Sequence, residues 1–469
     1  APAQIRTTLD APLQRVAVAA LTQQIRELQG RHISDGAIVV LDNATGDVLA
    51  WVGSSGELSR AGQVDSVTAL RQPGSTLKAF LYGEAIAEHR LTAASLLHDS
   101  PAQLQTATGL YIPQNYDHHF KGWVSARTAL ASSLNVPAVR TIVMVSPLAF
   151  QRQLGRFGIR LPENGDYYGY SLALGSGEVT LLALTNAYRA LANGGRYGAV
   201  GEPPRTQALD PGAAFIIGNI LSDGNARART FGTDSILATP FWSAVKTGTS
   251  KDMRDNWVVG WSERYTVGVW VGNADGAPMW EVSGIAGAAP IWAALMRYLH
   301  QSEPSRPPTP PAGLIHTAIQ FGPGLEAARE EWFLPGTEQH LFALSTDPTH
   351  AATAEAPEPG ADPGRVAARI TAPSRGTIIA LDPDIPPENQ RLILASAAGT
   401  APPDRLRWTI DGHEIGRGAS ARWLPWPGRH LIELRDAHGT LQDERRVEVR
   451  GATVKRATPV AATERTNSD

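Results

Sequence analysis

Lysine is scarce in this sequence: only Lys78, Lys121, Lys246, Lys251 and Lys455 occur, against a large excess of arginine. Two of these amines stand where they could do chemistry. The first closes the run Gln72-Pro73-Gly74-Ser75-Thr76-Leu77-Lys78. Pro-Gly ahead of a segment able to form a helix (STLKAFLYGEAIAEH) places Ser75 at or near a helix start. Residues i and i+3 share a helix face, so the Lys78 amine can reach the Ser75 hydroxyl. A hydroxyl is a poor nucleophile at neutral pH and needs a base. A lysine can serve if desolvation or a neighbouring cation lowers its pKa. The helix start also offers backbone N–H groups to a developing oxyanion. The same Ser-x-x-Lys spacing recurs at Ser243–Lys246. That copy lies in a β-like run (FWSAVKTG), where i and i+3 point to opposite faces, so Ser243 is set aside as a decoy.

Two further pieces complete the set. Ser133-Leu134-Asn135, within TALASSLNVPAV, can present a hydroxyl and an amide into one cleft. The hydroxyl could relay a proton to a leaving amine and the amide could hold a substrate carbonyl; ordinary helix capping by Ser or Asn is the plainer alternative. Lys246-Thr247-Gly248-Thr249 ends a β-like run before a polar turn. A strand carrying a cation and two hydroxyls suits a substrate carboxylate, and the glycine permits close approach of backbone to ligand; a simple strand-ending turn is the alternative. Each piece alone is a weak signal. Their joint occurrence, SxxK then SxN then KTG, is the motif order of penicillin-binding proteins and serine β-lactamases. Other chemistries lack their motifs: there is no GxSxG elbow, no phosphate-binding glycine loop and no HExxH, and the adjacent His118 and His119 suit a loop better than a metal site. No metal and no cofactor is expected.

These residues need a scaffold that brings distant segments together. Residues 1–30 carry helix-like spacing after Asp10, a candidate cap. Gly36–Asp42 and Asp47–Gly53 read as a strand pair around a turn, and Asn256–Trp261 and Tyr265–Gly272 as a second pair far downstream. Between them the sequence is mainly helical, as in the run from Thr180 to the stop at Gly194-Gly195. Strands at both ends with helices between predict an α+β domain built on one antiparallel sheet. That domain is assigned to residues 1–301, followed by a Pro-rich connector (302–313), a short extension of the same domain (314–346), a Pro/Ala-rich linker (347–364), a β-sandwich, Ig-like module (365–450) and a polar tail expected to be disordered (451–469). Tyr111, Asn115, Tyr116, Trp270, Met279 and Trp280 could border the cleft, but packing is the preferred role; Trp408, Trp423 and Trp426 are expected to be core.

The chain has 469 residues, 42% hydrophobic and 19% charged, with a formal net charge of −3. That balance fits a globular protein with a sizeable core and gives no reason to expect nucleic acid as partner. Cysteine is absent, which excludes thiolate metal sites and disulfides without fixing the compartment. No stretch approaches ~18 uninterrupted apolar residues, so nothing reads as a membrane-spanning helix.

The resemblance extends beyond the three motifs. TTLDAPLQ (7–14), Arg71–Ser75, Gly122–Val139, LALGSGEVTLLALTNAYRALANGG (172–195) and Lys246–Gly272 resemble the class A, bifunctional penicillin-binding proteins. EWFLPGTE (331–338) and the module's WTIDG (408–412) and WPGRH (426–430) resemble the 1C subgroup. The resemblance implies a serine β-lactamase/DD-transpeptidase-like fold in which Ser75 attacks the D-Ala-D-Ala carbonyl of a peptidoglycan stem peptide and Lys78 takes its proton. It implies an oxyanion hole from the backbone N–H groups of Ser75 and Thr249, and proton delivery to the leaving D-Ala by Ser133 and Lys246. Thr247, Gly248 and Thr249 would flank the terminal carboxylate, and Asn135 a substrate amide. β-Lactams would acylate Ser75. The implied location is the periplasmic side of the inner membrane, with the anchor and glycosyltransferase domain expected upstream of these residues. Cell-wall synthesis or outer-envelope proteins are candidate partners of the C-terminal module. Two other outputs share the motifs. One is a weakly active penicillin-binding scaffold. The other is a β-lactamase, for which Glu163 and Glu178 lie between SxN and KTG but neither sits in a β-lactamase motif.

Overall fold

The computed structural model describes residues 6–100, 104–106, 109–111, 120–231, 235–344, 368–373, 378–380, 392–397, 402–425 and 428–450. The chain divides into two compact units, Ala1–Pro101 with Pro113–Ser345, and Ala102–Ile112 with Thr346–Asp469. The linker 347–364, the tail 451–469, His118, His119, Asn115, Tyr116 and Trp426 lie outside the described residues, as does the side chain of Tyr111.

The first unit is organised by a five-stranded antiparallel sheet. Its strands are β1 (Asp35–Asp42), β2 (Val48–Val52), β3 (Ala244–Thr249), β4 (Asp255–Trp261) and β5 (Tyr265–Gly272), in the order β2-β1-β5-β4-β3. The N-terminal pair and the downstream pair join where β1 meets β5, in register from Asp35 opposite Gly272 to Asp42 opposite Tyr265. Nearly every residue of β1, β4 and β5 is buried, because helices cover both faces of the sheet. On one face lie α1 (Ala11–Glu27), capped by the Asp10 carboxylate, which accepts from the Leu13 N–H at 2.8 Å, and α7 (Ala289–Leu299). Leu13, Ala17, Leu21 and Ile25 of α1, at the four-residue spacing of one helix face, interlock there with Ile38, Val40, Val267 and Trp292. The other face carries α5 (Leu181–Ala192), which starts at the Thr180 cap.

A helical region stands beside the β3 edge. Its centre is α2 (Lys78–Ala87), buried from Lys78 to Ile86 and packed by α4 (Asn135–Val145) and α6 (Pro211–Ser222). The six-residue α3 (Ala126–Ala131) precedes α4. Residues 302–313 form neither helix nor strand, although Ser305 is buried and its hydroxyl accepts from the Glu263 N–H at 2.9 Å. Beyond them β6 (Ile315–Phe321), β7 (Arg329–Phe333) and β8 (Leu341–Phe342) make a small sheet in the order β7-β6-β8, its core built on Ile319, Phe333 and Phe342. No helix among the described residues is long and apolar enough to cross a membrane.

The second unit is all-β among its described residues. One sheet holds β9 (Arg369–Ala372), β11 (Leu392–Ala397) and β14 (Ser420–Trp423), in the order β9-β11-β14. The other holds β10 (Ile378–Ala380), β12 (Arg407–Ile410), β13 (His413–Arg417), β15 (Gly428–Arg435) and β16 (Leu441–Arg450), in the order β10-β16-β15-β12-β13. Ile370, Leu394, Trp408, Trp423, Ile432 and Leu434 fill one core between them. Asp411-Gly412 turns β12 into β13 with φ of 49° and 81°, the left-handed pair that a two-residue hairpin requires.

Candidate active site

Ser75 sits in a 3-10 turn (Gly74–Leu77) that runs directly into α2 at Lys78. The sequence suggested an α-helical start; the tighter turn still places residues i and i+3 one above the other. Four contacts fix it. Arg71 pairs with Val179 through both backbone groups, N–H to carbonyl at 3.0 and 2.9 Å. The Trp257 indole donates to the Gln72 carbonyl at 2.8 Å, the Tyr188 hydroxyl to the Thr76 carbonyl at 2.6 Å, and the Thr76 hydroxyl to the Pro73 carbonyl at 2.9 Å. Arg71 itself is buried, sits over the Trp270 ring with its guanidinium carbon 4.0 Å from the centroid, donates to the Asn273 and Ala274 carbonyls at 3.1 and 3.3 Å, and stands 3.7 Å from the Asp255 carboxylate.

The turn abuts the free edge of the sheet. Gly74 has φ +56°, and a Cβ there would lie 2.5 Å from the Thr249 carbonyl oxygen and 2.9 Å from its nitrogen. Only glycine fits. A Cβ on Gly248 would in turn lie 2.4 Å from the Pro73 carbonyl, so the close approach that Gly248 permits is to the turn that carries Ser75. β3 is the outermost strand, and the Ser250 N–H bonds the Asp255 carbonyl on β4. Antiparallel pairing alternates, so the backbone groups of Thr247 and Thr249 face away from β4. For Thr249 that direction is toward Gly74.

Ser133 connects α3 to α4 with φ +60°, a left-handed conformation uncommon outside glycine. Its carbonyl accepts from the Lys78 amine at 2.7 Å, and its hydroxyl accepts from the Lys246 amine at 2.7 Å. Lys78 also donates to the Leu134 carbonyl at 3.1 Å and to Asn135 Oδ1 at 2.7 Å. Lys246 also donates to the Thr247 carbonyl at 2.9 Å. The Ser75 hydroxyl has no hydrogen-bond partner among the described residues. Three oxygen acceptors thus hold the Lys78 amine. To accept a proton from Ser75 the amine must lose one of its three and release an acceptor.

Burial pushes the Lys78 amine well below its ordinary value, and the nearby Lys246 charge pushes it further; Asp99 acts in the opposite sense. Burial alone brings Lys246 down to about 7. Asp99, fully buried on a short strand (Leu96–Asp99) and accepting from the Lys121 N–H at 2.8 Å, carried no motif that could have singled it out. The same holds for Arg71, Tyr188 and Trp257.

Some candidates stand apart from this cluster. The Thr249 hydroxyl is engaged locally, donating to Asn256 Oδ1 at 3.2 Å and accepting from the Gly284 N–H at 3.2 Å. The Thr247 side chain lies on the same side of the strand, near Gly284. Ser243 is buried and its hydroxyl bonds that of Thr239 at 2.8 Å. Glu163 and Glu178 are both exposed. Trp270 and Met279 are buried, but Trp280 is 61% exposed and stacked on His32, against the core role expected of it.

Comparison with known proteins gives this geometry a family. The model of the penicillin binding protein transpeptidase domain matches residues 36–297, and that of the Penicillin-Binding Protein C-terminus Family matches residues 360–449. Penicillin-binding protein 1C of Escherichia coli is 34% identical over 361 residues, which is 73% of this chain and 45% of that protein. Penicillin-binding protein 1A of Neisseria lactamica is 32% identical over 315 residues, 60% of this chain and 38% of that one. The chain thus spans less than half the length of these relatives. Among solved structures, penicillin-binding protein 1A from Haemophilus influenzae aligns with a TM-score of 0.58 at 23% identity, covering 66% of this chain and 54% of that one. PonA1 from Mycobacterium tuberculosis, in complex with penicillin V, aligns with a TM-score of 0.55 at 24% identity, covering 66% and 89%. Both share the fold. With its matched region taking in more than half of its residues, this chain belongs to the penicillin-binding protein transpeptidase family.

Proposed function

We propose that this chain is a peptidoglycan D,D-transpeptidase acting through an acyl-enzyme on Ser75. The observation that carries the reading is the link Lys78–Ser133–Lys246, set beside a nucleophile turn whose glycine touches the backbone of Thr249. Neutral Lys78 takes the Ser75 proton as Oγ attacks the penultimate D-Ala carbonyl. The oxyanion lies between the N–H groups of Ser75 and Thr249, each donor worth about 3 kcal/mol. As the C–N bond breaks, Ser133 gives its proton to the departing D-Ala nitrogen and is reprotonated by Lys246. The amine of a neighbouring stem peptide then attacks the ester, forming the cross-link and returning the Ser75 hydroxyl; water in its place gives carboxypeptidase output.

The cation of Lys246 and the hydroxyls of Thr247 and Thr249 serve the terminal carboxylate, Thr249 after exchanging its bond to Asn256. Asn135 serves a substrate amide. An open β3 edge favours a substrate lying extended along it, with main-chain hydrogen bonds. A β-lactam enters the same path and leaves a ring-opened acyl group. The exposed positions of Glu163 and Glu178 offer no buried carboxylate to drive deacylation, which favours transpeptidation over a β-lactamase output. The setting is the periplasmic face of the inner membrane, with cell-wall synthesis or outer-envelope proteins as partners of the C-terminal module.

Intact mass after incubation with a β-lactam tests the proposal. One drug mass on the wild type and none on Ser75→Ala is expected. An adduct on Ser75→Ala, or none on the wild type, would overturn it.

A further inference from the structure

The extension that carries EWFLPGTE lies beyond residues 36–297, yet it grips a piece of the site. Glu331 of β7 is fully buried. Its carboxylate accepts from Arg127 Nε at 2.8 Å, from Arg127 Nη2, from Arg329 Nε at 3.1 Å and from the Trp332 N–H at 3.1 Å. Arg127 belongs to α3. Its guanidinium also bonds Asn219 Oδ1 at 2.6 Å and Asp223 at 3.2 Å. Glu326, just ahead of β7, accepts from the Ser125 N–H at 2.8 Å and the Ser125 hydroxyl at 2.7 Å. Ser125 is the N-cap of α3. Burial raises the Glu326 carboxyl, but the bonds from Ser125 and Arg329 outweigh it and hold the group below its ordinary range.

A helix of six residues has little stability of its own; isolated helices below ~12–15 residues are marginal. A groove of about 610 Å³ lies beside these bonds, lined by Arg127 and Thr128 of α3 and by Glu326, Arg329 and Trp332 of the extension. At its far end α3 runs into Ser132, whose hydroxyl donates to the Ala226 carbonyl at 2.8 Å and whose carbonyl accepts from the Thr230 hydroxyl at 2.9 Å. The next residue is Ser133, in its left-handed conformation between the two lysines.

We infer that the extension is a positioning element of the active site: Glu331 on Arg127 and Glu326 on Ser125 fix α3, and through it the placement of Ser133. Neither glutamate touches the reacting atoms. Both act through α3 on the proton-delivery step, and the inference rests on the reading of Ser133 as the group that protonates the leaving nitrogen. The Ser133 carbonyl also holds Lys78, which serves every acyl donor, so a displaced Ser133 slows all of them, and most of all those whose leaving group needs the hydroxyl's proton.

The test compares two acyl donors on the full chain. A β-lactam expels an amide nitrogen that must be protonated. A D-amino-acid thiolester forms the same Ser75–carbonyl bond while its C–S bond breaks to a thiolate, which leaves without a proton. Rates are taken per active site, counted from the mass of the Ser75 adduct at saturation, so a loss of folded molecules does not enter. For Glu331→Gln the β-lactam acylation rate is expected to fall by roughly tenfold to a hundredfold, with a clearly smaller fall in the thiolester rate. Equal falls, or no fall, would overturn the inference. Glu326→Gln is subject to the same split and decides the matter if Glu331→Gln does not fold. Ser133→Ala, run alongside, isolates the underlying reading: if it shows no split of its own, the role of Ser133 fails whatever the glutamate variants do.

Discussion

Lys246 donates a 2.7 Å hydrogen bond to the hydroxyl of Ser133, which leaves that hydroxyl's own hydrogen uncommitted to Lys246. The carbonyl of the same residue accepts from Lys78. One residue therefore stands between two buried amines, and the charge of Lys246 adds to burial in lowering the proton affinity of Lys78.

This pairing sets a pH dependence. In the proposed mechanism acylation needs neutral Lys78, so its rate should rise with pH through the amine's lowered pKa, well short of the ordinary lysine value of 10.5. The Lys246 charge is one cause of that lowering, after burial. Lys246→Gln is expected to move the rising limb to higher pH as well as to slow acylation. Stability follows the same logic. With Lys246 held at about 7 against 10.5 in the unfolded chain, the native state binds fewer protons across that window. Stability should therefore climb as pH rises through it. Denaturant unfolding at several pH values should show the slope in the wild type and a smaller one in Lys246→Gln.

Ser133 adopts φ +60° without being glycine. Ser133→Gly relieves the backbone and should be more stable than Ser133→Ala by about 1 kcal/mol. Both remove the hydroxyl, so both should lose β-lactam acylation. Thermal unfolding and adduct kinetics on the two variants separate conformational strain from chemistry.

Gly74→Ala places a methyl group against Thr249 and asks alanine to adopt φ +56°. The turn must then move away from β3, and the two N–H groups proposed for the oxyanion separate. Acylation of this variant should fall by about a hundredfold or more, in line with loss of an oxyanion donor. A stopped-flow trace with a chromogenic β-lactam reads this directly.

Arg71 and Asp255 form a buried pair, with side chains 8% and 9% exposed. Arg71→Ala should destabilise the first unit by about 3–5 kcal/mol, because it strands a buried carboxylate. Arg71→Lys should recover only part of this, since an ammonium cannot sit over Trp270 while donating in two fixed directions to Asn273 and Ala274. Calorimetric unfolding of both variants checks the ranking.

In the second unit, Trp408 is fully buried at the centre of the core, and its indole donates to the Gly418 carbonyl at 2.9 Å. Trp408→Ala should cost about 3–5 kcal/mol. Hydrogen exchange at β12, β15 and β16 should then accelerate.

The sheet of the first unit was legible because its strands carry strong local signals. GAIVVLD and the alternating Trp257, Val259 and Trp261 read as strands without help, and Thr180 and Asp10 mark helix starts through capping chemistry. In the second unit, β9, β13 and β14 carry no such local signal: they are short, and ARW and HEIGR mix charges into strands whose partners decide their pairing. The motif residues could be chosen by type and order, but not their bonds. Nothing local says that Lys78 turns to two carbonyls and an amide oxygen, or that Arg127 meets Glu331 from 204 residues away. Trp280 was misread because size suggests burial, whereas here a neighbouring imidazole gives the ring a stacking partner at the surface.

The order of the sheet has a bearing on biogenesis. The amine that meets Ser133 comes from a residue 113 positions further along the chain, on the outermost strand, and β1 finds its partner β5 only after that strand has been made. A growing polypeptide thus carries Ser75, the proposed nucleophile, long before it carries the surroundings that could arm it. Penicillin capture becomes a timestamp for the completed fold: chains released before Lys246 should pass through unlabelled, and labelling should begin when the last strands close.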